Sequence, residues 1–124
     1  MKLVVLDKWN ARRKEIAAQY SHLLAGADIV LRYLPDYADP VWHLYVIRSK
    51  QRDALKEHLE QQGVSTAIHY PIPSHRQACY QDFRGYNLPI AELLADEVLS
   101  LPMSPLLSSD DVNWVVQAIK EYRQ

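Results

Sequence analysis

The sequence predicts a single α+β domain, in which a small, mostly antiparallel sheet carries helices packed on one face. Helical and extended patterns follow one another in the order α-β-β-α-β-α-α-β-α. The extended segments are short and helices stand between and after them, which is typical of one sheet covered by a helical layer. The chain has 124 residues, 48% of them apolar, and is therefore long enough to bury a core.

The first predicted helix occupies the beginning of the chain and ends at the stop signal Gly26. Apolar residues recur at helical spacing through Trp9 and Ile16 to Leu24. No Ser, Thr, Asp or Asn stands before Leu3 to cap the helix. We therefore expect this helix to be the continuation of a longer one.

Four segments are predicted to be strands, namely "DIVLRYLP", "VWHLYVIRS", "VSTAIHY" and "VLSLPMSP". The first ends at Pro35 and the third at Pro71, because proline cannot donate to a strand ladder. The second is apolar on both of its faces, which is typical of a strand that is covered twice. Only one of these covers is evident in so small a domain.

Each later helix is predicted from a residue suited to a helix start. Ser49 can cap a helix that runs through about Gln62, and Ser74 can cap a short helix over "HRQACYQ". Pro89 suits the first turn of a third helix, and Ser108, followed by two aspartates, suits the start of the last.

Composition limits the partners that the chain can have. A net charge of −1 argues against nucleic acid or an anionic membrane, since both attract clustered Lys and Arg. No apolar run approaches the roughly 20 residues that span a bilayer. Cys79 is the single cysteine, so no intramolecular disulfide can form, and we expect a cytoplasmic location.

The stretch "IHYPIPSH" is the strongest candidate for a ligand site. His69 ends a predicted strand, and His75 lies in the first turn of a predicted helix whose free N–H groups favour anions. Arg76 adds positive charge, so a phosphate or carboxylate is expected near Ser74 to Arg76. The alternative is a hydrogen-bonded strand-end histidine beside a solvated helix start.

Cys79 allows two further hypotheses, a zinc site and a thiol nucleophile. His75 lies one helical turn away from Cys79, and His69 is close in sequence. However, the chain has no CxxC or HExxH motif, and Cys79 does not lie at a helix N-terminus, where a thiolate is favoured. We therefore predict no metal site and no catalytic residue, and expect Cys79 to pack as a small hydrophobic side chain.

Several segments together resemble the C-terminal part of the DegT/DnrJ/EryC1/StrS family of pyridoxal-phosphate-dependent sugar-nucleotide aminotransferases. They are "LDKWNARRKEIAAQY", "VWHLYVIR", "RDALKEHLEQQGVSTAIHYPIPSHRQACY" and "PIAELLADEVLSLPMSPLLSSDDV". The resemblance implies a fold-type-I aminotransferase, in which a large domain carries the Schiff-base lysine. It also implies that residues 1–26 are a former interdomain helix and residues 27–124 the small C-terminal domain.

The resemblance further implies that the "HYPIPSH" turn faces the nucleotide-sugar substrate, with His69, Tyr70 and His75 as substrate-binding residues. None of the six lysines lies in a segment like the cofactor-lysine segment of the family. We therefore expect this chain alone to bind no pyridoxal phosphate and to be inactive as a transaminase.

The expected partners are a missing large aminotransferase domain or a second copy of the chain, and the nucleotide sugar in the complete enzyme. Two alternatives stay open at this point. One is a free-standing α+β module for ligand binding or dimerisation, and the other is a small metal or thiol enzyme.

Overall fold

The computed structural model describes residues 2–83 and 85–122, which contain four α-helices and two β-strands. In chain order these are α1 (Leu6–Leu23), β1 (Tyr45–Arg48), α2 (Arg52–Gln61), α3 (Pro89–Glu97), β2 (Val98–Leu101) and α4 (Ser109–Glu121). Three short 3-10 helices complete the described structure, at Lys2–Val5, Ser74–Arg76 and Ala78–Phe83. The predicted α+β class is thereby confirmed.

The sheet is antiparallel, as predicted, with Tyr45 of β1 opposite Leu101 of β2. Two of the predicted strands are reduced to single bridges at its outer edges. Val30 of "DIVLRYLP" pairs with β1, and Ala67 of "VSTAIHY" pairs with β2. Each segment reaches a proline within a few residues of its bridge, so neither can extend its ladder of hydrogen bonds.

The predicted strand over residues 41–49 is shorter than expected and begins only at Tyr45. Trp42 has a positive φ of 53°, a conformation that does not fit a strand. Its indole stacks on the Tyr45 ring, with the two ring centroids 5.5 Å apart. The Arg32 guanidinium lies over the indole, and its Cζ is 5.4 Å from the ring centroid. Trp42 therefore closes one end of the sheet from a loop.

The strand is fully covered on one face, and on its second face the cover within this domain is only partial. Tyr45 and Ile47 point into the core and are 3% and 0% exposed. Val46 and Arg48, on the other face, are only half-buried. Leu94 of α3 lies beside this second face and gives it partial cover.

The core lies between the inner face of the sheet and helices α1, α2 and α4. Its buried members are Ile16, Ala17, Tyr20, Leu24, Tyr45, Ile47, Leu55, Leu59, Val64, Leu99, Leu101, Val112, Val115, Val116, Ala118 and Ile119. Two phenols enter this core and both are hydrogen-bonded, as buried polar groups require. The Tyr20 hydroxyl donates to the carbonyl of Pro102 at 3.1 Å, and the Tyr45 hydroxyl lies 2.9 Å from that of Ser21.

The predicted starts of α3 and α4 are confirmed, whereas two others needed correction. Pro89 is the first residue of α3, and Ser108 caps α4. Ser49 caps the turn before α2, because its hydroxyl accepts from the Gln51 N–H at 3.2 Å. Ser74 makes no side-chain cap, and the helix predicted over "HRQACYQ" is replaced by two 3-10 helices that meet around Gln77.

Candidate functional site

The turn from Tyr70 to Tyr80 and helix α3 enclose an open cleft of about 540 Å³. Its lining consists of Tyr70, Ile72, Pro73, Ser74, His75, Gln77, Tyr80, Leu88, Ala91 and Ala95. Apolar and aromatic side chains dominate, with a few polar groups among them, which is the usual composition of a small-molecule site.

Local sequence explains the shape of this cleft. Pro71 and Pro73 fix their own φ angles and keep the turn extended until the 3-10 helix at Ser74–Arg76 begins. On the opposite side, α3 contributes Ala91 and Ala95 to the lining. These small side chains leave the space open.

His75 is fastened to α3 at one side of the cleft. The residue is 7% exposed, and its Nε2 donates to Oε1 of Glu92 at 2.9 Å. Arg76 donates to the same oxygen from Nη2, also at 2.9 Å. These two hydrogen bonds, that from His75 first, lower the pKa of Glu92 to about 2.

The predicted anion site around Ser74 to Arg76 is not supported by this geometry. Arg76 is already paired with the Glu92 carboxylate, and this carboxylate brings a negative charge that would repel a bound anion. The short 3-10 helix there offers little of the aligned dipole that favours anions at a long helix. This corner therefore holds the turn against α3.

His69 lies beside the cleft and outside its lining. Its Nδ1 is 2.9 Å from the hydroxyl of Ser100, while the residue as a whole is exposed. The peptide bond to Tyr70 is cis, and the two rings meet edge to face with centroids 5.9 Å apart. Tyr70 is 74% exposed and does line the cleft. The structure thus places Tyr70 and His75 in the lining of the cleft, and His69 outside the lining but in contact with the Tyr70 ring.

Neither hypothesis for Cys79 is supported in the described part of the chain. No group of three or more His, Cys, Asp or Glu side chains among residues 2–83 and 85–122 is placed to hold a metal ion. His75 is bonded to Glu92 and not to Cys79. The thiol is exposed, 3.9 Å from Gln77 Oε1, so the expectation that Cys79 packs as a small hydrophobic side chain was also wrong.

The described residues do not fit a covalent pyridoxal phosphate site. A Schiff-base lysine needs a desolvated pocket, and no lysine lines the cleft. Lys14 pairs with Asp39 at 2.7 Å, and Lys56 pairs with Glu60. The remaining described lysine side chains are exposed, at positions 8, 50 and 120.

Glu92 and Ser100 also shape this region, and neither was among the site residues predicted from the sequence. Glu92 lies in the first turn of α3, where an acidic residue is expected because it interacts favourably with the helix dipole, so its presence did not indicate a further contact. Ser100 is the one polar residue in the strand "VLSL", and this interruption of an apolar run was the available signal. Neither hydrogen-bond partner follows from spacing, because both contacts are long-range.

Comparison with solved structures gives the class of this fold. The chain is similar to Streptomyces venezuelae DesV in complex with a ketimine intermediate, with a TM-score of 0.92 and 41% identity over 97% of this chain and 33% of that one. It is also similar to a DegT DnrJ EryC1 StrS aminotransferase from Brucella abortus, with a TM-score of 0.86 and 33% identity over 95% of this chain and 32% of that one. The architecture is therefore that of a fold-type-I aminotransferase, of which it represents a part.

The sequence comparison gives the family. The DegT/DnrJ/EryC1/StrS aminotransferase family matches residues 1–120, and the chain belongs to it. One relative, the dTDP-3-amino-3,6-dideoxy-alpha-D-galactopyranose transaminase of Aneurinibacillus thermoaerophilus, is 43% identical over 98% of this chain and 34% of its own length. Another, the dTDP-3-amino-3,4,6-trideoxy-alpha-D-glucose transaminase of Streptomyces venezuelae, is 39% identical over 100% of this chain and 34% of its own length.

The chain thus spans about a third of the length of the curated relatives it matches. This partial coverage fits a fragment of a longer protein. The comparisons do not favour the alternative of a free-standing binding or dimerisation module. Among the described helices, none combines the length and the apolar character that crossing a membrane requires.

Proposed function

We propose that this chain is the C-terminal, substrate-side domain of a pyridoxal-phosphate-dependent aminotransferase that acts on a nucleotide-linked sugar. Residues 1–26 would form the interdomain helix and residues 27–124 the small domain. The family match and the two dTDP-sugar transaminases among its relatives support the substrate class. The share of their length that the chain covers supports its role as one domain of a larger enzyme.

In this proposal, the cleft beside the Tyr70–Tyr80 turn forms one wall of the nucleotide-sugar site. The observation that carries it is the exposed ring of Tyr70 at an open cleft. The neighbouring His69 imidazole is held by a hydrogen bond between its Nδ1 and the Ser100 hydroxyl. Aromatic side chains present an apolar ring and a polar tip, which suits contact with a sugar nucleotide. His69 and Tyr70 bind the substrate through polar atoms, and His75 contacts it through the part of its ring that lines the cleft.

The chain's own contribution is binding and enclosing the substrate, and the chain alone is inactive. This follows from the absence of a lysine around the cleft, since the described lysines are solvated or paired elsewhere. The complete enzyme would take its Schiff-base lysine from the larger domain.

His69→Ala, introduced into the complete enzyme that contains this segment, tests the proposal. We expect a rise of roughly ten- to hundredfold in the KM for the nucleotide sugar, the effect of losing one hydrogen bond to a charged group. The absorbance of the bound cofactor should be unchanged, because the cofactor is held elsewhere. His22→Ala, an exposed change on α1, is the matched control and should alter neither quantity.

His75→Ala in the same enzyme separates a structural role from a binding role. Loss of the bond to Glu92 should lower the thermal midpoint, whereas loss of a substrate contact should raise the KM. A depressed midpoint together with an unchanged KM in both histidine variants would show that the turn is a packed corner and not a substrate wall.

A further inference from the structure

Ser100 is a buried hydroxyl in an apolar strand. It is 4% exposed and lies between Leu99 and Leu101, which are 0% and 3% exposed. Its backbone is held on both sides, because it pairs with Val46 of β1 and exchanges hydrogen bonds of 2.8 and 3.2 Å with Ala67. Burying a hydroxyl costs free energy unless it is hydrogen-bonded, so the stability of this strand depends on the partner of the Ser100 hydroxyl.

The partner of the Ser100 hydroxyl is Nδ1 of His69, at 2.9 Å. Within residues 2–83 and 85–122, the hydroxyl has no second hydrogen-bond partner. If Nδ1 carried the proton and donated it, the buried hydroxyl proton would have no acceptor. If the hydroxyl donates to Nδ1, no donor is left unsatisfied, which is the cheaper arrangement in a buried position. The neutral His69 ring then carries its proton on Nε2.

We propose that Ser100 is a positioning residue that holds His69 as the Nε2–H tautomer, so that the ring offers a hydrogen-bond donor to an acceptor oxygen of the substrate. This inference rests on the proposed function, in which His69 contacts the nucleotide sugar. Nε2 makes no hydrogen bond to any other described residue, so its proton is available to a ligand. Phosphoryl and hydroxyl oxygens of a nucleotide sugar are acceptors of this kind.

The rigidity of the strand is what makes Ser100 suitable for this role. A hydroxyl on a mobile loop would not hold the ring in one orientation. Because the backbone of Ser100 is paired on both edges of β2, its Cβ has a fixed place, and the hydrogen bond to its hydroxyl orients the exposed imidazole. A ligand then meets a ring that is already oriented, which lowers the entropy cost of binding.

The tautomer is measured directly on the 124-residue chain labelled with ¹⁵N-histidine. At about pH 8.5 imidazoles are neutral, and long-range ¹H–¹⁵N spectra distinguish the two ring nitrogens. We expect Nε2–H for His69, with the Nδ1 signal of a hydrogen-bonded acceptor. In Ser100→Ala that signature should be lost and both tautomers should exchange, and Ser100→Thr should restore it.

Ser49→Ala is the matched control for this measurement. Ser49 is also 4% exposed and its hydroxyl is also hydrogen-bonded, but to the backbone of Gln51. This variant should leave the His69 signals unchanged. An unchanged signature in Ser100→Ala overturns the proposal, and so does Nδ1–H in the parent chain, a result that does not depend on whether the variant folds.

Kinetics of the complete enzyme separate this inference from the proposed function. Ser100→Ala should raise the KM by about two- to tenfold, the effect of one neutral hydrogen bond, and Ser100→Thr and Ser49→Ala should not. If the tautomer depends on Ser100 but neither Ser100→Ala nor His69→Ala changes the KM, the proposed function is wrong and the positioning of His69 stands. If His69→Ala raises the KM and Ser100→Ala does not, the role of Ser100 in substrate binding is wrong.

Discussion

Glu92 links the cleft turn to α3 through one carboxylate oxygen, which accepts from both His75 and Arg76. These hydrogen bonds favour the charged carboxylate, and they lower its pKa from 4.5 to about 2. A group whose pKa is lowered by folding stabilises the fold at pH values above its unfolded pKa. That stabilisation is lost as the pH falls from about 4.5 towards 2.

Replacing Glu92 by Gln should therefore reduce the loss of stability in acid. We expect the urea midpoint of the parent chain to fall between pH 5 and pH 3 more steeply than that of Glu92→Gln. At neutral pH the variant should be the less stable of the two, because it lacks the charged acceptor. Glu57→Gln, an exposed change on α2, is the control and should follow the parent. Identical pH profiles for all three proteins would show that the Glu92 contacts do not form in solution.

Single residues show where prediction from sequence succeeded and where it stopped. The family resemblance implied one substrate site for His69, Tyr70 and His75, and the structure places Tyr70 and His75 in the cleft lining and His69 outside it. The hydrogen bonds of Glu92 and Ser100 were not predictable, because each joins residues that only the folded chain brings together. Local sequence carries no information on such pairs.

Helix α4 has the best-defined start in the molecule. The Ser108 hydroxyl accepts from the Asp111 N–H at 3.1 Å, and the Asp111 carboxylate accepts from the Ser108 N–H at 2.8 Å. This reciprocal arrangement satisfies two N–H groups that the helix itself cannot bond. The Ser108 hydroxyl also donates to this carboxylate at 2.6 Å, and that bond, together with the one from the Ser108 N–H, lowers the pKa of Asp111.

Ser108→Ala should destabilise the fold by about 1 kcal/mol, the typical cost of losing an N-terminal cap. The effect reaches the whole domain because α4 contributes five buried residues to it. Chemical denaturation followed by circular dichroism measures this change in the free energy of unfolding. Ser109→Ala, one residue further on, removes a hydroxyl that forms no cap and should have little effect. Equal losses in the two variants would contradict the capping role.

At the level of elements, helices were predicted better than strands, and for a physical reason. A helix is closed by local hydrogen bonds, so Pro89, Ser108 and the positive-φ glycines Gly26 and Gly63 mark its ends in the sequence itself. A strand exists only where a partner lies beside it. Two segments with suitable composition therefore remain extended chain with a single bridge each.

The whole molecule should not form a stable covalent adduct with pyridoxal phosphate. Its described lysines are exposed or paired on the surface, and none of them lies in the desolvated pocket that a Schiff-base lysine needs. The measurement is an intact mass after mixing with the cofactor and reducing with borohydride. We expect weak labelling spread over several lysines, and a single stoichiometric adduct on one lysine would contradict the proposal that the chain is inactive alone.

The molecule should also associate with itself at high concentration. The segment between Val30 and Val41 exposes several apolar and aromatic side chains, among them Tyr33 at 82% and Tyr37 at 91%. Exposed apolar surface of this kind tends to find a partner. Light scattering over a dilution series should show a concentration-dependent mass.

A double change of Tyr33 and Tyr37 to Ser should weaken this association. Leu106→Ser is the control, because Leu106 is 86% exposed but lies in a different part of the chain. A monomer at every concentration, or an equal effect of both variants, would exclude the segment as the contact surface.

The pairing of β1 with β2 also determines when this domain can fold. Tyr45 meets Leu101 across the sheet, with all of α2, the cleft turn and α3 between them in sequence. Closing so long a loop costs chain entropy before any contact compensates for it, so the sheet forms slowly. On the ribosome, the sheet has to wait for β2 and the core for α4, and α2 with its 10 residues is too short to be stable before them. Until that moment the nascent chain exposes Tyr45 and Ile47, which the folded domain buries, and their apolar surface is open to contacts with other chains.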